Sequence, residues 1–188
     1  MAYPPSPFAP AHFPALPPVR GVRLAACEAG VRYSGRLDLM LAEFAPDTVV
    51  GGVMTKSTTA GAPVDWNRVA LGNGAARALV VNAGNANVFT GKRGREAVAK
   101  TAAAVSDAIG CDSNDVFVCS TGTIGEYLLE DRITAKIGDL KTTLSDTAWE
   151  QAATAIMTTD TYAKGAMRTA EIDGTTVTLV GIAKGSGM

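Results

Sequence analysis

The sequence predicts an α+β domain: short β-rich runs come first, amphipathic helical periodicity fills the middle, and a second pair of β-rich runs follows around an Asp-Gly turn. Seven of the nine prolines lie between Pro4 and Pro18. That density forbids regular helix and predicts an extended arm over residues 1–20, either disordered or docked on a neighbouring surface. Residues 21–188 form the domain proper. Residues 22–26, 37–44 and 48–54 are runs of Val, Leu and Met separated by Gly, Ser and Pro-Asp turns, which predicts three strands. Residues 78–81 predict a fourth, fully buried strand. From 93 to 109 the apolar residues Val98, Ala102, Val105 and Ile109 recur at helical steps and Gly110 follows, predicting an amphipathic helix with a glycine stop. Residues 116–119 predict another strand. Ile133, Ile137, Leu140 and Leu144 mark a second helix, and Trp149, Ala152 and Ile156 a third, with Ser145 and Asp146 as capping candidates. Residues 167–172 and 176–183 flank Asp173-Gly174, a strong hairpin signal.

Composition narrows the function classes. At 188 residues, 47% hydrophobic and 19% charged, the chain can bury a single globular core. A net charge of -1 and a pI near 5.8 supply no basic field for a phosphate backbone, so nucleic acid is not the expected partner. Cys27, Cys111 and Cys119 have no C-x-x-C spacing, and His12 is the single histidine, which argues against a disulfide framework and a zinc site. The apolar runs are broken well before the roughly 18 residues of a membrane span, and no charged segment followed by an apolar one marks a leader. A reducing, cytoplasmic protein is expected, with small-molecule or protein partners and no metal or organic cofactor.

Four polar stretches are candidates for function. Ser120-Thr121-Gly122-Thr123-Ile124-Gly125-Glu126 leaves a predicted buried strand, so its backbone N–H groups can either hold an anion or oxyanion, or simply make a tight glycine connection to the next helix. Asn82-Ala83-Gly84-Asn85-Ala86-Asn87 leaves another strand. Its carboxamides suit a structural turn, with a polar pocket as the alternative. Thr158-Thr159-Asp160-Thr161 ends the third helix, and threonine disfavours helix interiors, so the hydroxyls face solvent or a ligand. Lys184-Gly185-Ser186-Gly187-Met188 follows the last strand abruptly and reads either as a frayed tail or as a cut end. Cys119 beside the Thr-Gly turn is not expected to be a nucleophile, because it closes a buried strand and has no histidine near it. His12 is expected at the surface. Glu126 and Asp160 receive no acid–base role, since neither has an identifiable partner.

Taken together, these stretches resemble one family. Asn85-Ala86-Asn87 with Thr90-Gly91, the Ser120-Thr121-Gly122 turn with Ile124-Gly125-Glu126, Met157-Thr158-Thr159-Asp160-Thr161, and Gly181-Ile182-Ala183-Lys184-Gly185-Ser186-Gly187-Met188 occur in the order and approximate spacing of the ornithine acetyltransferases. Val88-Phe89 and Met54-Thr55-Lys56-Ser57 depart from the family pattern. The resemblance implies a layered α/β sandwich of the DmpA/ArgJ-like type, formed together with a β chain. It implies a precursor that cuts itself before a threonine beyond Met188, leaving this segment as the α chain of an α2β2 assembly. That threonine, on the β chain, would take the acetyl group of N2-acetylornithine and pass it to glutamate in a ping-pong reaction, with its own α-amine as the base. Some family members also accept acetyl-CoA. By motif, Thr121 and Gly122 would form the oxyanion hole, and Thr158 and Lys184 would contact substrate. A related self-processing amidase or aminopeptidase, and a non-catalytic anion-binding module, are the alternatives.

Overall fold

The computed structural model describes residues 4–186. Strands β1 (Val22–Cys27), β2 (Leu39–Phe44), β3 (Ala78–Asn85) and β4 (Val116–Thr123) form one sheet in that order. β2 runs antiparallel to both β1 and β3, whereas β3 and β4 are parallel and joined by helix α2 (Gly91–Ile109). The strands β5 (Lys164–Ile172) and β6 (Thr175–Ala183) make a separate antiparallel hairpin. Helices α1 (Ala62–Ala70), α3 (Glu130–Thr142) and α4 (Trp149–Ala155) complete the α+β layering that the sequence predicts.

The sheet is buried on both faces because its side chains alternate between two cores. Leu39, Leu41, Val80 and Val118 face α2 and α3, packing on Val98, Ala102, Val105, Ile133, Ile137 and Leu140. Met40, Ala42, Leu24 and Val81 face the other way, onto Trp149, Ala152 and Ile156 of the α4 region. The described part of the proline arm is docked on this second layer. Phe13, Leu16 and Val19 pack into it, and Trp149 Nε1 donates to the Pro17 carbonyl at 3.1 Å. The Phe13 ring lies against Gly165 so closely that a Cβ there would fall 2.6 Å from Cζ.

Helix α1 has no counterpart in the sequence reading. It enters with Pro63 in its first turn, where the missing N–H costs nothing. Its work is done by polar atoms: Asn67 Nδ2 donates to the Val118 carbonyl at 2.9 Å, Val118 N donates to Asn67 Oδ1 at 3.0 Å, and Trp66 Nε1 donates to the Val116 carbonyl at 2.9 Å. These bonds occupy the outer edge of β4, which among the described residues has no strand neighbour on that side.

Three further expectations are corrected. Residues 48–54 are not a strand: a single bridge links Val49 to Ala75, and Val49 and Val53 are 86% and 98% exposed. β-branched composition favours a strand only where a neighbour accepts its ladder, and here the pairing with residues 74–76 stops at that one bridge. Ser145 and Asp146 do not cap α4, whose N-cap is Ala148 with no side-chain bond. Ser145 instead pairs its backbone with Leu24 on the free side of β1. The two polar stretches after residues 81 and 119 are not loops from their first residue, because β3 continues to Asn85 and β4 to Thr123. The hairpin turn forms as predicted, with Asp173 and Gly174 both at positive φ, 50° and 73°. Gly187 and Met188 of the terminal motif lie outside the described residues.

Candidate functional site

The paired ends of β3 and β4 build the first wall of the site. Their parallel register, Ala83 opposite Thr121 and Gly84 opposite Gly122, breaks at Gly84 and Asn85 in a bulge. At Gly122 φ is 135°, and a Cβ there would lie 2.6 Å from both Asn85 N and Gly84 O. Only glycine lets the two backbones meet this closely.

The asparagines that leave β3 are consumed in holding this bend. Ser120 Oγ donates to Asn82 Oδ1 at 2.6 Å, and Asn82 Nδ2 donates to the Asn85 carbonyl at 3.0 Å. Asn85 accepts from Asn87 N at 2.7 Å and donates to the Glu126 carbonyl at 3.1 Å. Asn87, fully buried with φ 51°, donates to Gly94 O at 2.9 Å and accepts from Thr90 Oγ1 at 2.7 Å. The loop is therefore a structural turn that aims the strand ends, as the side-chain chemistry favours.

Lys184 follows β6 directly and reaches back across the fold. Its ammonium donates to Thr121 Oγ1 at 2.6 Å and to Thr158 Oγ1 at 2.8 Å. Three of the four residues named from the family motif therefore meet at one point, and Gly122, exposed, adjoins it. Lys184 is exposed and Thr121 and Thr158 half-buried, so the cluster is an open surface patch. An ammonium has three N–H groups, which leaves one beyond the two threonines.

Beneath the patch sits a carboxylate that the sequence reading left without a role. The Asp160 side chain is completely buried. Its Oδ1 accepts from Lys164 Nζ at 2.6 Å and from Gly185 N at 2.5 Å, and its Oδ2 accepts from Thr158 N at 3.2 Å. Burial pushes this carboxyl up, but the Lys164 ammonium and the two backbone N–H groups outweigh it and hold the group below its ordinary range. Above it, Thr159 Oγ1 and Ser186 Oγ lie 2.8 Å apart, and Arg36 donates to the Met157 carbonyl at 2.7 Å.

The rejected candidates stay out of the site. Burial raises the Cys119 thiol, and Asn67 Nδ2 lies 3.7 Å from its sulfur, so it is a protonated packing group. Burial also pushes Cys27 up to about 11. His12 is exposed, and Glu126 pairs with Arg32 at the surface. Among the described residues no cluster of His, Cys, Asp and Glu could hold a metal ion, and no helix is long and apolar enough to cross a membrane. A cavity of about 680 Å³ opens at the far end of the sheet, among Arg20, Arg23, Glu43 and Arg77. Arg77, the residue before β3, is six residues from Ala83, placing that cavity roughly 20 Å from Thr121 at about 3.3 Å per residue. It is separate from the Lys184 cluster.

Comparison with known proteins adds three findings. The sequence model of the ArgJ family matches residues 23–188. A relative in Gluconobacter oxydans, described as the arginine biosynthesis bifunctional protein ArgJ, is 54% identical over 93% of this chain but only 41% of its own length. Two solved structures superpose with the same fold. One is the bifunctional protein of the same description from Bacillus halodurans, with TM-score 0.82, 31% identity, and coverage of 90% of this chain and 88% of that one. The other is an ornithine acetyltransferase from Mycobacterium tuberculosis complexed with ornithine, with TM-score 0.83, 35% identity and 91% coverage of both chains. The chain thus spans less than half of the curated relatives it matches, and nearly all of each solved chain.

Proposed function

Because the chain belongs to the ArgJ family, we propose that it is the α half of a self-cleaving acetyltransferase that moves an acetyl group from N2-acetylornithine to glutamate in arginine biosynthesis. In this reading the residues from 21 onward are the α-chain domain, and residues 1–20 are an arm seated on it. The nucleophile is a threonine that begins the β chain. Its hydroxyl attacks the acetyl carbonyl, its α-amine takes the proton, ornithine leaves, and glutamate attacks the acetyl-enzyme in turn. Thr121 and Gly122 stabilise the negative charge that develops on the carbonyl oxygen. Lys184, as a compact cation, and Thr158, through its hydroxyl, bind the substrate carboxylate. No metal or organic cofactor takes part, and acetyl-CoA is a possible second acetyl donor. The three free cysteines suit a reducing cytoplasm.

The single observation that carries this reading is the Lys184 ammonium bonded to both Thr121 and Thr158, which are 37 residues apart in sequence and on different elements. Two further features support a second chain. The solved relatives match as chains of about this length, whereas the curated relatives are more than twice as long. The outer face of the β5–β6 hairpin carries Leu179, Ile172 and Val177 at 71%, 57% and 42% exposure, an apolar ribbon that a two-stranded unit cannot cover by itself.

Denaturing mass spectrometry of the full-length product, purified natively with and without N2-acetylornithine, tests the proposal. The expected result is a second chain that begins with threonine and gains one acetyl group on incubation. An uncut product that gains none overturns it. Loss of the acetyl group to water, with no requirement for glutamate, favours a related amidase instead.

A further inference from the structure

We propose that Asp160 is a positioning residue for the acetyl donor: it fixes the spacing between Thr158 and Lys184 without touching the substrate. The inference rests on the proposed function for the identity of the ligand, though not for the geometry. Thr158 and Lys184 are 26 residues apart, Thr158 in the irregular turn after α4 and Lys184 in the irregular segment after β6. Two direct ties join the segments near the patch, Lys184 Nζ to Thr158 Oγ1 and Thr159 Oγ1 to Ser186 Oγ, and both are solvent-exposed. Exposed bonds of this kind compete with water, and a carboxylate that takes the Lys184 ammonium and the Thr158 hydroxyl competes with the first directly.

Asp160 ties the same segments from below, through a side chain that solvent does not reach. One oxygen accepts from the backbone N–H of Gly185, the residue immediately after Lys184, and the other accepts from the backbone N–H of Thr158 itself. Both bonds leave the Lys184 and Thr158 side chains free for a ligand. The two amides give the carboxylate charge-assisted bonds, and the Lys164 ammonium at 2.6 Å is a third donor to it. A structural ion pair alone would need Lys164 but would have no reason to collect amides from both sides of the ligand patch.

Two variants of the full-length enzyme separate these roles. Asp160→Asn keeps the shape but loses the charge and turns one acceptor into a donor. Lys164→Gln breaks the ion pair and keeps a donor toward Asp160. The expected result is a rise of roughly ten- to a hundredfold in KM for N2-acetylornithine in Asp160→Asn, with a smaller fall in kcat, against a change below about threefold in Lys164→Gln. Equal effects of the two variants on KM, or an unchanged KM in Asp160→Asn, overturn the proposal. Amide hydrogen exchange gives the readout that does not depend on activity. The Gly185 amide, although its residue is exposed, is expected to be protected in the wild type and in Lys164→Gln, and to lose protection in Asp160→Asn. A Gly185 amide that exchanges freely in the wild type overturns the proposal even if Asp160→Asn fails to fold. If the wild type transfers no acetyl group, the proposed function falls, and the exchange result alone judges Asp160.

Discussion

Replacing Gly122 by alanine tests whether the close approach of β3 and β4 sets the geometry of the site. The added Cβ would stand 2.6 Å from Asn85 N and Gly84 O, where ordinary contact begins at 3.4 Å, so one strand end must retreat by close to 1 Å. Neither neighbour is a flexible side chain; both are backbone held in the sheet and in the Asn82–Asn85 bond network. The φ of 135° adds a backbone cost of about 1–3 kcal/mol for a residue with a Cβ. Thr121 precedes Gly122 and moves with it, and a displacement of 1 Å at a reacting centre typically costs on the order of a hundredfold in rate. Gly125→Ala is the control: its φ is 83°, but a Cβ there meets nothing within 4 Å. Acetyl transfer from N2-acetylornithine to glutamate, measured with thermal denaturation of the full-length enzyme, should show both variants losing stability and only Gly122→Ala losing about a hundredfold in kcat. Gly122→Ala with near wild-type kcat, or an equal loss in Gly125→Ala, would refute the reasoning.

Two other outcomes follow from buried polar groups. The Asp160 carboxyl is held below its ordinary value of 3.8, so its stabilising contribution is complete above that value and is lost as the pH falls through the lower folded one. Urea midpoints from about pH 6 down to about pH 3 should therefore bring wild type and Asp160→Asn together, and a gap that stays constant would count against the buried clamp. Asn67→Ala strands the N–H and carbonyl of Val118 at the edge of β4, and should lower the unfolding free energy by roughly 2–6 kcal/mol in urea titration, at about 1–3 kcal/mol per orphaned group. An unchanged midpoint would mean that α1 merely rests on that edge.

Elements whose stability comes from an apolar stripe or a local turn were legible in the sequence. Helix α2 repeats Val98, Ala102, Val105 and Ile109 and ends at Gly110, whose left-handed backbone closes it as a glycine stop should. The β5–β6 hairpin follows from Asp173-Gly174. Helix α1 was missed because it is only nine residues long and opens on Pro63, and part of its anchorage is hydrogen bonds from Trp66 and Asn67 to a strand edge, which no apolar period reports. Residues 48–54 failed in the opposite sense, having strand composition without a strand beside them. The site divides in the same way. Thr121, Gly122, Thr158 and Lys184 were named only through the resemblance to a family, because no local rule says that a lysine after the last strand returns to a threonine 63 residues earlier. Asp160 carried a weak signal, an acid within a threonine run, but its three donors come from its own turn, from β5 and from the residue after Lys184.

The side-chain cover on β4 bears on what the main sheet could otherwise recruit. The four strands of the main sheet lie within residues 22–123, and a bare outer strand there would template pairing with any neighbouring chain. Trp66 and Asn67 occupy that ladder with groups that cannot themselves be extended, since they end in a ring nitrogen and a carboxamide rather than in another backbone. The opposite border, at β1, is shortened by the Ser145 bridge to Leu24. Sideways growth of the main sheet is thus closed off on one flank and curtailed on the other, which leaves the hairpin ribbon as the apolar strand surface that stays open.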